Sequence, residues 1–226
     1  MTPRSEFLSG LKAELPLLIG VFPFGMIYGV LAMGAGLPAG QAQAMSAVVF
    51  AGSSQFIAAQ LFSAAAPAIV IVITVAVVNL RHALYSASLA PYLKKLNPLW
   101  KFGLAYLLTD EAYAVTIGHF RQEAEAEHKQ WFLLGAGLML WSAWQASTLA
   151  GILVGTVIPA SWALDFTLAL TFIALVVPAL RDRAEVAAAL VAGVTAVATY
   201  GFPYKLGLVA ASLAGIATGL WMERRQ

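Results

Sequence analysis

The sequence predicts an all-α bundle of about seven or eight membrane segments, folded as one transmembrane domain over residues 1–226. Two observations carry that class. Apolar residues make up 61% of the chain and charged residues 11%, with a mean hydropathy of +0.81. Soluble domains run closer to about 45–50% apolar and about 25% charged. In addition, apolar stretches near the roughly 20 residues a spanning helix needs recur along the whole length. They fall at about 15–36, 42–62, 67–90, 99–119, 131–157, 162–180, 184–201 and 203–222. Together they leave no room for a soluble domain, so any chemistry lies in the membrane.

The first segment follows Arg4 and Lys12 and is too long for the apolar core of a signal peptide, so it reads as a retained helix. It carries Phe22-Pro23-Phe24-Gly25 and then Gly29. Proline removes a backbone donor, which either kinks the helix for packing or frees a carbonyl for a substrate amine. The second segment holds Phe50-Ala51-Gly52-Ser53-Ser54-Gln55-Phe56. Ser53, Ser54 and Gln55 suit either interhelical hydrogen bonds or an unwound stretch that binds a carboxylate or a coupling ion.

The third segment is interrupted by Asn79-Leu80-Arg81-His82 and the fourth by Thr109-Asp110-Glu111. A charge at the bilayer centre costs about 2.5–3.5 kcal/mol on insertion scales, so Arg81, Asp110 and Glu111 facing lipid would cost roughly 9 kcal/mol together. They are expected to pair, to line a wet cavity, or both. On a helix Arg81 shares a face with Tyr85, and Asn79 with His82. The arginine fork meets two carboxylate oxygens at once, and an imidazole changes charge near neutral pH. The alternative for Arg81 is snorkelling at the interface, since Pro91 and Lys94-Lys95 follow soon after. Asp110 and Glu111 differ by about 100° around their helix, so one is able to neutralise Arg81 while the other stays free for an ammonium or a proton.

The remaining features are read as boundaries. Arg121 to Lys129 forms a hydrophilic connector, with His119 and His128 flanking it as solvated side chains. Trp100, Trp131, Trp162 and Trp221 lie near segment ends, as an interfacial belt requires. Asp165 is an N-terminal charge of the sixth segment.

Eight simple crossings from a cytoplasmic N-terminus put Arg4, Lys12, Arg121, Lys129, Arg181, Arg183, Arg224 and Arg225 inside. They leave Lys94, Lys95, Lys101 and Lys205 outside. If the second and fourth segments enter and leave on one side, Lys94, Lys95 and Lys101 move inside too. A faint inverted repeat pairs Val77-Val78-Asn79-Leu80-Arg81 with Val176 to Arg181, and Gln55 with Gln145.

A net charge of +2 without a basic patch argues against nucleic acid, and no cysteine is present. There is no Walker loop, dinucleotide fingerprint, zinc-protease motif or nucleophile elbow. ATP-driven transport by this chain alone is therefore excluded, an enzyme is not expected, and neither a cofactor nor a metal is implied.

These motifs, with Leu108-Thr109-Asp110-Glu111 and Leu164-Asp165-Phe166, resemble the azaleucine-resistance (AzlC) family of branched-chain amino acid permeases over roughly residues 12–183. The resemblance implies a multi-pass protein of the cytoplasmic membrane. It implies export of branched-chain amino acids with a small hydrophobic AzlD-type subunit as partner.

The expected site combines Arg81 for the carboxylate, Asp110 or Glu111 for the ammonium, and Asn79, Gln55, Ser53, Ser54 and Tyr85 around them. Phe24 and Phe56 would face the branched side chain. Proton coupling would run through Glu111, Asp110 or His82, and both termini would be cytoplasmic. A channel, or a scaffold subunit that transports nothing, remains the alternative.

Overall fold

A computed structural model describes residues 2–123, 127–155, 180, 182–202 and 206–224, and these are helical with short turns. Residue contacts divide the chain into two compact units, Met1–Ala59 with Val78–Pro159, and Gln60–Val77 with Ala160–Gln226.

In the first unit, Thr2 caps α1 (Pro3–Glu14) through a reciprocal box with Ser5. A single 3-10 turn at Leu15–Leu17, around Pro16, joins it to α2 (Leu18–Gly34). The helix continues through Pro23, so the proline does not end it, although the carbonyl of Ile19 loses its usual donor. The run Pro3–Gly34 is 32 residues, about 48 Å at 1.5 Å per residue, enough to cross a bilayer.

It lies beside α9 (Lys129–Gly155) and runs in the same direction: Gly25 meets Ser147, Gly29 meets Thr148, and Val30 and Met33 meet Gly155. At Gly151 the backbones themselves are close, because a Cβ there would strike the carbonyl of Met26. Without a hydrophobic drive between helices in lipid, such small-residue seams let backbones pack.

The second segment is two half-helices, α3 (Ala39–Val49) and α4 (Gly52–Ser63), separated at Phe50-Ala51. Tyr28 reaches both: its hydroxyl donates to the Ala42 carbonyl at 3.0 Å, and its ring meets Phe56 edge-on at 5.9 Å. The chain therefore turns at the break as an open hairpin with its tip there, and both halves meet α2 at Tyr28.

The fourth segment repeats that design with α7 (Pro98–Tyr106) and α8 (Asp110–Gln122), separated at Leu107-Leu108-Thr109. Trp100 packs on Trp131 at 5.1 Å and His119 stacks on Phe132 at 3.9 Å, so both outer ends meet the start of α9. The tip reaches inward to Gly137, which touches Leu107. Between the hairpins, a turn at Asn79 separates α5 (Ala68–Val78) from α6 (Leu80–Leu89). The far end of α6 joins a core of Leu89, Leu104, Leu108, Phe120, Phe132 and Leu133.

In the second unit α10 (Arg183–Ala198) starts from a capping box between Asp182 and Glu185. It packs on α11 (Leu206–Glu223), where Gly215 faces Ala188 and Ala192.

The predicted segments are thus only partly continuous. Among the described residues four helices are long and apolar enough to cross a membrane: Pro3–Gly34, Ala68–Tyr92, Lys129–Gly155 and Leu206–Glu223. The expected helices 42–62 and 99–119 are each broken, into halves of 9 to 13 residues that cover about half the hydrocarbon thickness. The sixth segment lies outside the described residues apart from Leu180, as do Asp165 and most of the stretch compared with the third segment.

Candidate functional site

The breaks in segments two, three and four bring the polar motifs together in the first unit. At the start of α4, Ser53 accepts from Arg81 Nη2 at 2.7 Å, and Ser54 donates to Asn79 Oδ1 at 2.6 Å. Arg81 Nη1 lies 2.9 Å from Asp110 Oδ2 at the start of α8. Tyr85, one turn along α6, donates to Asp110 Oδ1 at 2.6 Å. Its ring stacks on Tyr113 at 4.5 Å, and the Tyr113 hydroxyl meets Ser88 Oγ at 2.9 Å. One arginine fork therefore clamps two hairpin tips.

The pair is not sealed, with side-chain exposures of 30% for Arg81 and 39% for Asp110. Arg81 Nε and His82 Nε2 are buried and have no partner. Unmet buried polar atoms are costly, by about 1–3 kcal/mol for a neutral group, and the Arg81 Nε–H marks a place where a ligand oxygen gains most.

An aromatic wall stands next to this cluster. Phe24 packs on Phe56 at 4.7 Å and on Trp144 at 5.9 Å, and Trp144 Nε1 donates to Gln55 Oε1 at 3.0 Å. Gly52 makes the approach feasible, since a Cβ there would sit 2.9 Å from Phe24 and 3.1 Å from Trp144. Gln145 instead bonds Gln43 at 2.8 Å. It therefore ties α3 to α9 rather than mirroring Gln55.

Of the sequence-predicted residues, Ser53, Arg81, Tyr85 and Asp110 form one bonded cluster. Ser54 and Asn79 are joined beside it. Gln55, Phe24 and Phe56 form the wall. Glu111 is half-buried on the next position of α8, and His82 approaches the Tyr85 ring at 6.0 Å.

Two readings of the fourth segment's outer end need correction. His119 is not solvated, because its Nε2 is 2.9 Å from Glu6 Oε2 and its ring stacks on Phe132. Lys129 is buried, its ammonium held over the rings of Tyr92 and Phe120. The physical reason is shared: the fourth segment folds back against the start of α9, which covers what a simple crossing would expose.

Two acidic residues ahead of the first apolar segment also lie inside the protein. Glu6 and Glu14 are fully buried on one stripe of α1 with Gly10. The sign of it in the sequence is a carboxyl every second turn on one helix face, ahead of the apolar run that starts at Leu15.

Together the fold and the cluster define an all-helical integral membrane protein with ionic groups gathered at its interrupted helices. The family model described as AzlC protein matches residues 16–158. The chain belongs to the AzlC family. It is similar to an uncharacterized membrane protein of Archaeoglobus fulgidus, 34% identical over 98% of this chain and 97% of the other. It is also similar to the inner membrane protein YgaZ of Escherichia coli, 26% identical over 96% and 92%. A membrane protein of Helicobacter pylori is 33% identical over 67% of each chain. No solved structure matches.

Proposed function

We propose that the protein is a secondary transporter that exports small zwitterionic amino acids with branched apolar side chains across the cytoplasmic membrane. The observation that carries this reading is the Arg81–Asp110 pair, held open at the meeting of three helix N-termini. Arg81 and the amides at the start of α4 meet the carboxylate, since a helix N-terminus carries a partial positive charge. Asp110 and Glu111 at the tip of α8 receive the ammonium. Phe24, Phe56 and Trp144 accept the branched side chain, where each buried methylene contributes about 0.8 kcal/mol. Amino-acid binding thereby replaces the internal ion pair by two external ones, and releasing the pair lets the two hairpin tips separate.

Both hairpins are taken as re-entrant, with the start of α9 and both termini on the cytoplasmic side. That arrangement puts Lys94, Lys95 and Lys101 inside and removes their conflict with the positive-inside rule. Coupling to protons through Glu111, Asp110 or His82 belongs to the same reading, and a small AzlD-type subunit is its expected partner.

The test is counterflow of labelled leucine in vesicles preloaded with unlabelled leucine. Saturable exchange that competes with isoleucine and valine is expected. Unsaturable flux would favour a channel, and no flux with or without the small subunit would favour a scaffold.

A further inference from the structure

The seam between α1 and α8 holds ionisable groups that the substrate cluster does not use. Glu6 faces His119 at 2.9 Å, and Glu14 lies within electrostatic reach of Glu111. The two helices thus run antiparallel, with Thr116 of α8 halfway along. Glu14 is 0% exposed and neither carboxyl oxygen has a hydrogen-bond partner. Thr116 is also fully buried with an unpartnered hydroxyl, and Glu6 keeps one unpartnered oxygen.

Among the described residues no cation pairs with Glu14. Arg81 is paired with Asp110, and Arg4 and Lys12 are exposed on α1. A buried carboxylate with no partner is expensive, whereas a carboxyl that carries a proton is far less so.

We propose that this seam is a proton path, in which a proton moves between Glu111 and Glu14 and Glu6–His119 exchanges it with water at the start of α9. The inference rests on the transport reading above and names the coupling site within it. When a substrate ammonium arrives between Asp110 and Glu111, Glu111 is needed as an anion and its proton passes to Glu14. When the ammonium leaves on the far side, Glu111 takes up a proton from that side, and the proton on Glu14 exits through Thr116, His119 and Glu6 to the side where α9 starts. One proton moves, and no bond other than O–H or N–H is made or broken. An imidazole midway in the route fits protons better than sodium, which takes oxygen ligands.

The experiment compares the full chain and Glu14→Gln in vesicles with leucine as probe. Wild type should show counterflow and should also accumulate leucine against its gradient when a pH difference is imposed. Glu14→Gln should keep counterflow within about twofold, less than 0.5 kcal/mol by the tenfold-per-1.4 kcal/mol relation, yet lose accumulation entirely. Accumulation equal to wild type overturns the inference.

Should the variant fail to reach the membrane, the wild type carries the test through dicyclohexylcarbodiimide, which attacks protonated buried carboxyls. An adduct on Glu14 that fades as pH rises is expected. No adduct at Glu14, or protection by sodium at constant pH, overturns the proton path. Absence of counterflow in wild type refutes the transport reading instead, and the adduct still decides the seam.

Discussion

At the scale of single residues, the cluster turns on geometry that only an arginine supplies. Arg81 contacts Asp110 with one nitrogen and Ser53 with the other, so it joins two hairpin tips with one planar group. A lysine keeps the charge and loses the fork. Arg81→Lys is therefore expected to raise the leucine KM at least about tenfold, roughly 1.4 kcal/mol, in the counterflow assay. Asp110→Asn leaves the arginine without its counter-charge. Fully buried, that change costs about 3–5 kcal/mol; with both side chains about a third exposed, solvent screening brings it to about 1–2 kcal/mol, read as a lower unfolding temperature in detergent. Tyr85→Phe removes only the hydroxyl that holds Asp110 Oδ1, and a smaller loss, about 1 kcal/mol, is expected in the same melt.

At the scale of elements, the residues of the proposed site are where helices stop. Ser53 and Ser54 open α4, Asn79 to His82 open α6, and Asp110 and Glu111 open α8. Backbone groups left unbonded at such ends are tolerated within a membrane only where protein or water covers them, which is why polar residues collect there. The frame that holds the tips is the α2–α9 seam. Gly151→Val would push its side chain into the Met26 carbonyl and force the two long helices apart. Overpacking of this kind costs about 1–3 kcal/mol. The expected outcome is a clear fall in detergent melting temperature. Gly193→Val, at a helix position with open space, should fall much less.

At the scale of the whole molecule, the hairpins decide which loops share a side. Trp100 and Phe120 both reach the start of α9, so the loops before α7 and after α8 emerge at one end of that helix. The chain has no cysteine, which permits clean labelling of single introduced thiols. Lys95→Cys and Glu123→Cys are expected to react with an impermeant maleimide from the same face, the cytoplasmic one. Labelling from opposite faces would restore four simple crossings in the first half of the chain and dismantle the re-entrant arrangement.

How much of this was legible beforehand follows from particular residues. The class was plain, because 61% apolar residues in repeated stretches of spanning length have no soluble solution. The pairing of Arg81 with Asp110 could be anticipated from the cost of leaving either in lipid. The Ser53 contact, the aromatic wall around Trp144 and the burial of Glu14 could not. Each depends on where a broken helix turns back, and Val, Ala and Leu runs read alike whether the chain crosses or returns. His119 shows the consequence: beside a hydrophilic connector it looks solvated, yet the returning α8 carries it onto Glu6. Composition alone places this protein in lipid and obliges it to gather its charges. Folding chose which charges meet and which stay unpaired, because in a membrane composition sets the solvent while chain reversal sets the neighbours.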